Sequence, residues 1–72
     1  MNIGDNLKQY RLASGMTQTQ LGGAVGVTES MICQIERGTK ALTVPLGKEI
    51  AKALNVSPSV LFGIENDDDK PA

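Results

Sequence analysis

The stretch of sequence that most constrains the fold runs from residue 17 to residue 37. Thr17 and Thr28 are residues that cap helices, because a hydroxyl oxygen accepts a hydrogen bond from a free N–H of the first turn. Gly26 lies between them and can adopt the positive φ that reverses the chain. Gly22 costs about 1 kcal/mol relative to Ala in a helix, which predicts close helix packing there. The apolar residues recur at helical spacing: Leu21, Val25, Val27, Ile32 and Ile35.

The second predicted helix has one apolar and one polar face. If Ile32 and Ile35 point inward, the 3.6-residue period places five other residues on the opposite face: Glu29, Ser30, Cys33, Gln34 and Arg37. Side chains of this kind, on a helix that enters a major groove, can form hydrogen bonds with base edges. The stretch therefore has the pattern of a helix-turn-helix unit.

The composition restricts the possible functions. The chain has 72 residues, enough for one small domain. Tyr10 and Phe62 are its only aromatic residues, so there is no platform for stacking single-stranded bases. One cysteine and no histidine exclude an internal disulfide and a Cys–His zinc site. Because no nucleophile and base can be paired, we expect neither an enzyme nor a cofactor.

The charge is unevenly distributed along the chain. The net charge of -1 and the pI near 5.1 are the opposite of the basic surface typical of DNA-binding proteins. Residues 1–62 carry six Lys and Arg against four Asp and Glu, a net charge of +2, whereas residues 63–72 carry one against four, a net charge of -3. A charge of +2 predicts weak non-specific DNA binding, so we expect a dimer that is sensitive to salt.

Three further helices are predicted outside this stretch. Ile3, Leu7 and Tyr10 recur at helical spacing and predict a first helix that ends near Gly15. A fourth and a fifth helix are indicated where a capping residue is followed by proline, at Thr43 with Pro45 and at Ser57 with Pro58. We therefore predict an all-α, compact five-helix bundle over residues 1–64, followed by an acidic disordered tail over residues 65–72.

The sequence gives no indication of a membrane segment. No apolar run approaches the roughly 18 residues of a membrane-spanning helix. The start of the chain also lacks the basic, apolar-cored pattern of a leader. We therefore expect a cytoplasmic protein that makes no membrane contact.

Five groups of residues occur together in a characteristic order: Leu7-Lys8-x-x-Arg11, Gly15-Met16-Thr17-Gln18-x-x-Leu21, Val25-Gly26-Val27-Thr28, Ile32-x-x-Ile35-Glu36-Arg37-Gly38 and Ile50-Ala51-x-Ala53-Leu54-x-Val56-Ser57. On these residues the chain resembles the Cro/C1-type (XRE-like) helix-turn-helix family, which includes lambdoid phage repressors. The resemblance covers roughly residues 3 to 62. Several spaced motifs in order are far more specific than any single one. The resemblance implies a lambda repressor-like DNA-binding domain.

The resemblance also implies which residues contact DNA bases: Thr28, Glu29, Ser30, Cys33 and Gln34. Gln34 is the strongest candidate, because its amide can bond an adenine edge bidentately. Glu29 has two explanations, since it can accept from a cytosine amino group or simply be favoured by the helix dipole. It also departs from the glutamine or arginine frequent in the family, which leaves the target bases open. For Cys33, a small side chain at a close interface is a simpler explanation than a redox switch.

Four residues are implied as phosphate contacts: Thr17, Gln18, Arg37 and Lys40. The alternative for Arg37 and Lys40 is that both cations are merely solvated. Family members place a glutamine at the position of Gln18, where it also braces the recognition helix. They pair an arginine at the position of Arg11 with a glutamate at that of Glu36. We therefore expect an ion pair between the first and third helices, with two solvated charges as the alternative.

The last apolar cluster suggests how two copies associate. In phage repressors the last helices meet across a two-fold axis, which implies Val60, Phe62 and Ile64 as homodimer contacts. The alternative is that the whole cluster is core. The implied function is a sequence-specific transcriptional regulator, in the first instance a repressor, on a near-palindromic operator in double-stranded DNA. The alternative is a protein-binding module on the same fold, such as an antitoxin or anti-repressor component, that acts through a protein partner. The net negative charge of the chain slightly favours this alternative.

Overall fold

The computed structural model describes residues 2–63, which form five α-helices. They are α1 (Ile3–Ala13), α2 (Gln18–Val25), α3 (Glu29–Arg37), α4 (Val44–Leu54) and α5 (Pro58–Phe62). The predicted all-α, five-helix fold is confirmed. The predicted tail over residues 65–72 lies outside the described residues, as does the end of the predicted domain at residue 64.

Each helix begins with a side chain that satisfies its first turn. The N-cap residues are Asn2, Thr17, Thr28, Thr43 and Ser57, and each accepts a hydrogen bond from a backbone N–H three residues later. At α2 the cap is reciprocal, because Gln20 donates its backbone N–H to Thr17 Oγ1 and accepts the Thr17 N–H with its Oε1. Helices of 5 to 11 residues are unstable alone, so these caps and the core define where they begin.

Helices α2 and α4 each end at a residue whose backbone adopts the left-handed conformation, with a positive φ. Gly26 ends α2 with φ +83°, and Asn55 ends α4 with φ +61°. Glycine adopts this region without steric cost, and asparagine tolerates it better than most residues. Gly26 thus reverses the chain at the position where the sequence predicted a turn.

The core lies between all five helices. Its buried apolar residues are Leu7, Leu21, Ile32, Ile35, Ile50, Ala51, Leu54 and Leu61. α3 packs against α1 and α2, whereas α4 packs against α2 and α5, and α5 also contacts α1. The contacts of α3 with its neighbours leave one side of that helix uncovered.

Two glycines allow the close packing around α3. A Cβ at Gly22 would lie 2.7 Å from the carbonyl oxygen of Val27, in the turn before α3. A Cβ at Gly4 would lie 2.5 Å from the carbonyl oxygens of Ile35 and Glu36. Any larger residue would push α2 or α1 away, so both glycines fix the position of α3. None of the helices within residues 2–63 is long and apolar enough to cross a membrane.

Candidate nucleic-acid interface

The uncovered side of α3 carries most of the residues predicted to contact bases. Ile32, Ile35 and Glu36 are buried on its inner side. Glu29, Ser30, Gln34 and Arg37 are exposed on the outer side, together with the N-cap Thr28. Cys33 is half-buried, because it lies at the edge of this face rather than at its centre. The outer side of α3 is therefore a continuous polar surface of the width of one helix.

A buried ion pair holds α3 against α1. Arg11 Nε lies 2.6 Å from Glu36 Oε2, and Arg11 Nη2 lies 3.0 Å from Glu36 Oε1. The two residues are only 6% and 9% exposed. Arg11 Nη1 also donates to the carbonyl oxygen of Met16, at 2.8 Å, just before α2. The ion pair expected between the first and third helices is therefore present, and it is bidentate.

Gln18 joins this network from α2. Its Nε2 donates to Glu36 Oε1 at 3.0 Å, the oxygen that also accepts from Arg11. One carboxylate therefore connects α1, α2 and α3. The hydrogen bond to Glu36 raises the pKa of Arg11 above its ordinary value, although burial acts in the opposite direction. Because that pKa is raised, the stabilising charge of Arg11 is fully present at every ordinary pH and is lost only in strong alkali.

Two contacts on the outer side of α3 restrict its polar side chains. Gln34 Nε2 donates to Ser30 Oγ, one helical turn earlier, at 3.0 Å. Thr28 Oγ1 accepts the N–H of Met31 at 3.1 Å, which leaves the Thr28 hydroxyl hydrogen free to donate. Gln34 keeps its Oε1 and one N–H available, a donor and an acceptor suited to a base edge.

The predicted phosphate contacts flank this face. Thr17 and Gln18 lie at the start of α2, where Thr17 is exposed and Gln18 is half-buried by its contact with Glu36. Arg37 is exposed in the last turn of α3. Lys40 is exposed in the loop that follows, and its N–H donates to the carbonyl oxygen of Gln34 at 3.3 Å. Cationic side chains thus lie at the carboxyl end of the polar face.

The predicted dimer residues do not share one environment. Phe62 packs against α4 so closely that a Cβ at Gly47 would overlap its ring. Leu61 is buried in the core, whereas Val60 remains 36% exposed. Ile64 lies outside the described residues. Val60 therefore presents apolar surface on α5, and Phe62 mainly closes the domain.

Sequence reasoning missed some contacts of this site. The Ser30–Gln34 hydrogen bond could have been inferred from their spacing of four residues in a helix. The bond from Arg11 to the Met16 carbonyl had no sequence signal, since it depends on the path of the turn before α2. Among residues 2–63 no three His, Cys, Asp or Glu side chains are grouped so that they could hold a metal ion.

Comparisons with known proteins agree with this geometry. An uncharacterized HTH-type transcriptional regulator of Sinorhizobium fredii is 36% identical over 61 residues, which are 85% of this chain and 43% of that protein. The chain thus spans less than half the length of this relative. The restriction-modification controller protein C.AhdI of Aeromonas hydrophila has a similar structure, with a TM-score of 0.80 and 30% identity over 83% of this chain and 87% of that one.

The P22 c2 repressor protein, solved in complex with the synthetic operator 9T, gives a TM-score of 0.82 at 28% identity, over 90% of this chain and 98% of that one. The sequence pattern of the helix-turn-helix family matches residues 7–61. This match covers well over half of the chain. The chain therefore belongs to the helix-turn-helix family, of the Cro/C1 type.

Proposed function

We propose that the chain is a sequence-specific DNA-binding transcription regulator that inserts α3 into the major groove. The observation that carries the proposal is the exposed polar side of α3, which is held rigidly by the three-helix network around Glu36. In this function Gln34 reads a base, together with Thr28, Glu29, Ser30 and Cys33. The P22 c2 repressor, which has a similar fold at 28% identity, was solved in complex with a synthetic operator, and this supports DNA binding by the present chain.

In the proposed complex, residues at both ends of the polar face of α3 contact the phosphates of the DNA. Thr17 and Gln18 at the start of α2 bind one phosphate, with the N-terminal helix dipole favouring its negative charge. Arg37 and Lys40 bind another at the carboxyl end of α3. These contacts orient α3, whereas the base contacts supply sequence preference.

The regulator acts as a homodimer in this proposal. A single small domain with one recognition helix reads few base pairs, and a two-fold dimer places two such helices in successive major grooves about 34 Å apart. Val60, the exposed apolar residue of α5, supplies the apolar contact. The operator is then near-palindromic, and the activity is most simply repression by occupancy. A protein that acts in this way works in the cytoplasm, beside the DNA, and needs no catalytic group.

Selection of the pure protein on random duplex DNA at two salt concentrations tests the proposal. We expect enrichment of an inverted repeat, with fewer bound molecules at the higher salt concentration. The matched control is Gln34→Ala, which removes the reading amide but leaves the core and the phosphate contacts unchanged. It should cost about 1–3 kcal/mol on the enriched site and relax preference at one base pair.

Two results would contradict this function. Equal losses on every DNA sequence would remove Gln34 from base reading. If no sequence is enriched even at low salt, the polar face does not read DNA, and the protein-binding module becomes the better explanation.

A further inference from the structure

An open cleft of about 520 Å³ lies between the start of α1, the loop after α3 and the end of α5. Its apolar lining consists of Ile3, Ile35, Leu42 and Phe62. Ile35 is buried, and the other three are half-buried. Among the described residues that line the cleft, Lys40 is the one with a charged side chain. The cleft therefore combines an apolar surface with a single positive charge.

The described part of the chain ends at the margin of this cleft. Gly63 belongs to the lining and directly follows α5. The end of α5 is attached to α1, because Asn6 Nδ2 donates to the carbonyl oxygen of Leu61 at 3.5 Å. A Cβ at Gly63 would lie 2.9 Å from the same Nδ2, so the backbone passes close to Asn6. The chain therefore leaves the described domain at a defined point beside the cleft.

The next residues in the sequence are complementary to the cleft. Ile64 is apolar, and the four residues Glu65, Asp67, Asp68 and Asp69 carry carboxylates. An extended chain advances about 3.3–3.6 Å per residue, so six residues can cover up to about 20 Å from Gly63. Since Gly63 and Lys40 line the same cleft, this length is ample for a carboxylate to reach the Lys40 ammonium group.

Lys40 borders two surfaces at once. Besides the cleft, it lines a shallower depression on the outer side of α3, together with Thr28, Ser30 and Gln34. These three residues belong to the proposed base contacts. Lys40 is exposed and forms no ion pair within residues 2–63. A carboxylate that approaches from the cleft therefore meets the same ammonium group that a DNA phosphate would use.

We propose that residues 64–69 occupy the cleft of their own chain, with Ile64 against the apolar lining and carboxylates beside Lys40. Ile64 then packs within its own chain rather than in the dimer. The occupied state is autoinhibited, because an ammonium group that pairs with a carboxylate does not bind phosphate. The inhibition rests on the proposed function, whereas occupation of the cleft does not.

The competition should appear as a gain in DNA affinity when the segment loses its charge. The triple variant Asp67→Asn, Asp68→Asn, Asp69→Asn keeps the size of these side chains and the full length of the chain. We expect it to bind the selected operator about two- to fivefold more tightly at low salt, which is the range that an exposed ion pair contributes. The gain should fall toward one at high salt, because salt screens exposed charges.

General repulsion between the acidic segment and DNA would also produce a gain, and a double-mutant comparison separates the two causes. In Lys40→Ala the cation is absent, so the triple substitution should raise affinity less than it does in the wild type. Lys48→Ala removes an exposed cation of α4 that does not line the cleft, and the gain should be preserved in full. Each gain is a ratio measured in one background, so the direct contribution of Lys40 to DNA binding cancels.

A second measurement needs no DNA and compares two-dimensional ¹H–¹⁵N NMR spectra of the wild type and the triple variant. We expect changed amide shifts at Gly4, Gly38 and Leu42, which line the cleft but are distant in sequence from the substitutions. The amide of Gly23, exposed on α2, is the control and should not change. Unlabelled wild type added to the ¹⁵N-labelled variant should not restore the wild-type shifts, because each segment belongs to its own chain.

Three results would overturn this inference. Unchanged amide shifts along the cleft would show that the segment lies elsewhere. Shifts restored by added wild type would place the segment of a second copy in the cleft. An equal gain in affinity in Lys40→Ala and in the wild type would assign the effect to general repulsion. If the protein binds no DNA, the proposed function fails, and the amide shifts still decide whether the segment occupies the cleft.

Discussion

Arg11 and Glu36 are separated by 25 positions in the sequence, yet their charged groups meet through two hydrogen bonds of 2.6 and 3.0 Å. The pair lies in the interior, where Glu36 also accepts from Gln18. A bidentate ion pair between a carboxylate and an arginine guanidinium has a fixed planar geometry, which lysine cannot reproduce. The pair therefore sets the orientation of α3 relative to α1 as well as its distance.

Removal of one partner should be costly. Glu36→Gln keeps the size of the side chain but leaves the buried charge of Arg11 without a counter-charge. We expect the free energy of unfolding to fall by about 3–5 kcal/mol, measured by urea denaturation followed by circular dichroism. The control is Glu49→Gln on the exposed side of α4, which should change it by less than about 0.5 kcal/mol. Similar values for the two variants would show that the buried pair does not stabilise the fold.

Two adjacent glycines in α2 should respond in opposite directions to the same substitution. A Cβ at Gly22 would lie 2.7 Å from the Val27 carbonyl oxygen, whereas at Gly23 it would have no neighbour within 4 Å. Gly22→Ala should therefore destabilise the protein by about 1–3 kcal/mol through overpacking. Gly23→Ala should stabilise it by about 0.5–1 kcal/mol, because alanine favours the helix. Thermal unfolding of both variants checks the difference, and an equal shift in Tm would contradict the packing of α2 on the turn before α3.

The salt dependence of DNA binding should identify the cations at the interface. Lys40→Ala should weaken binding to all sequences and reduce the slope of log K against log salt concentration by about 1. Lys48→Ala is the control, since Lys48 is exposed on α4 and away from the face of α3. It should leave the slope unchanged. Titrations at four salt concentrations measure both slopes, and equal slopes for Lys40→Ala and the wild type would place Lys40 outside the interface.

The dimer proposal predicts different effects for two exposed apolar residues. Val60 lies on α5, and Leu12 lies on α1 with 58% of its surface exposed. In a two-fold interface Val60→Glu places like charges from both copies at an apolar contact, which should weaken the dimer about tenfold or more. Leu12→Glu should have no such effect. Sedimentation equilibrium gives the dimer dissociation constant, and a similar value for Val60→Glu and the wild type would exclude this contact.

The sequence was most informative where a local signal determines the structure. Thr17, Thr28, Thr43 and Ser57 were predicted as caps, and all four cap helices, because N-capping needs only the residue and its next turn. The turn at Gly26 was predicted for the same reason. The Arg11–Glu36 pair came from the family resemblance, since nothing local connects residues so far apart.

Contacts between helices were harder to predict. Gly47 has no sequence signal, yet the ring of Phe62 occupies the space above it. Val27 has the helical spacing of a core residue but is only half-buried, because it lies in the turn between α2 and α3. Such features depend on the angle at which two helices cross, which the pattern within one helix does not define.

The carbonyl oxygen of Gln34 accepts hydrogen bonds from the N–H groups of Thr39 and Lys40 and from the Thr39 hydroxyl. In the proposed complex this attachment fixes the backbone of Lys40 relative to α3, so that only the side chains of Gln34 and Lys40 can adjust the separation between the base and the phosphate that they bind. Duplexes differ in how easily their steps twist and bend. A misfit larger than these side chains can span is then absorbed by the duplex, so base pairs that no side chain touches affect affinity through their stiffness.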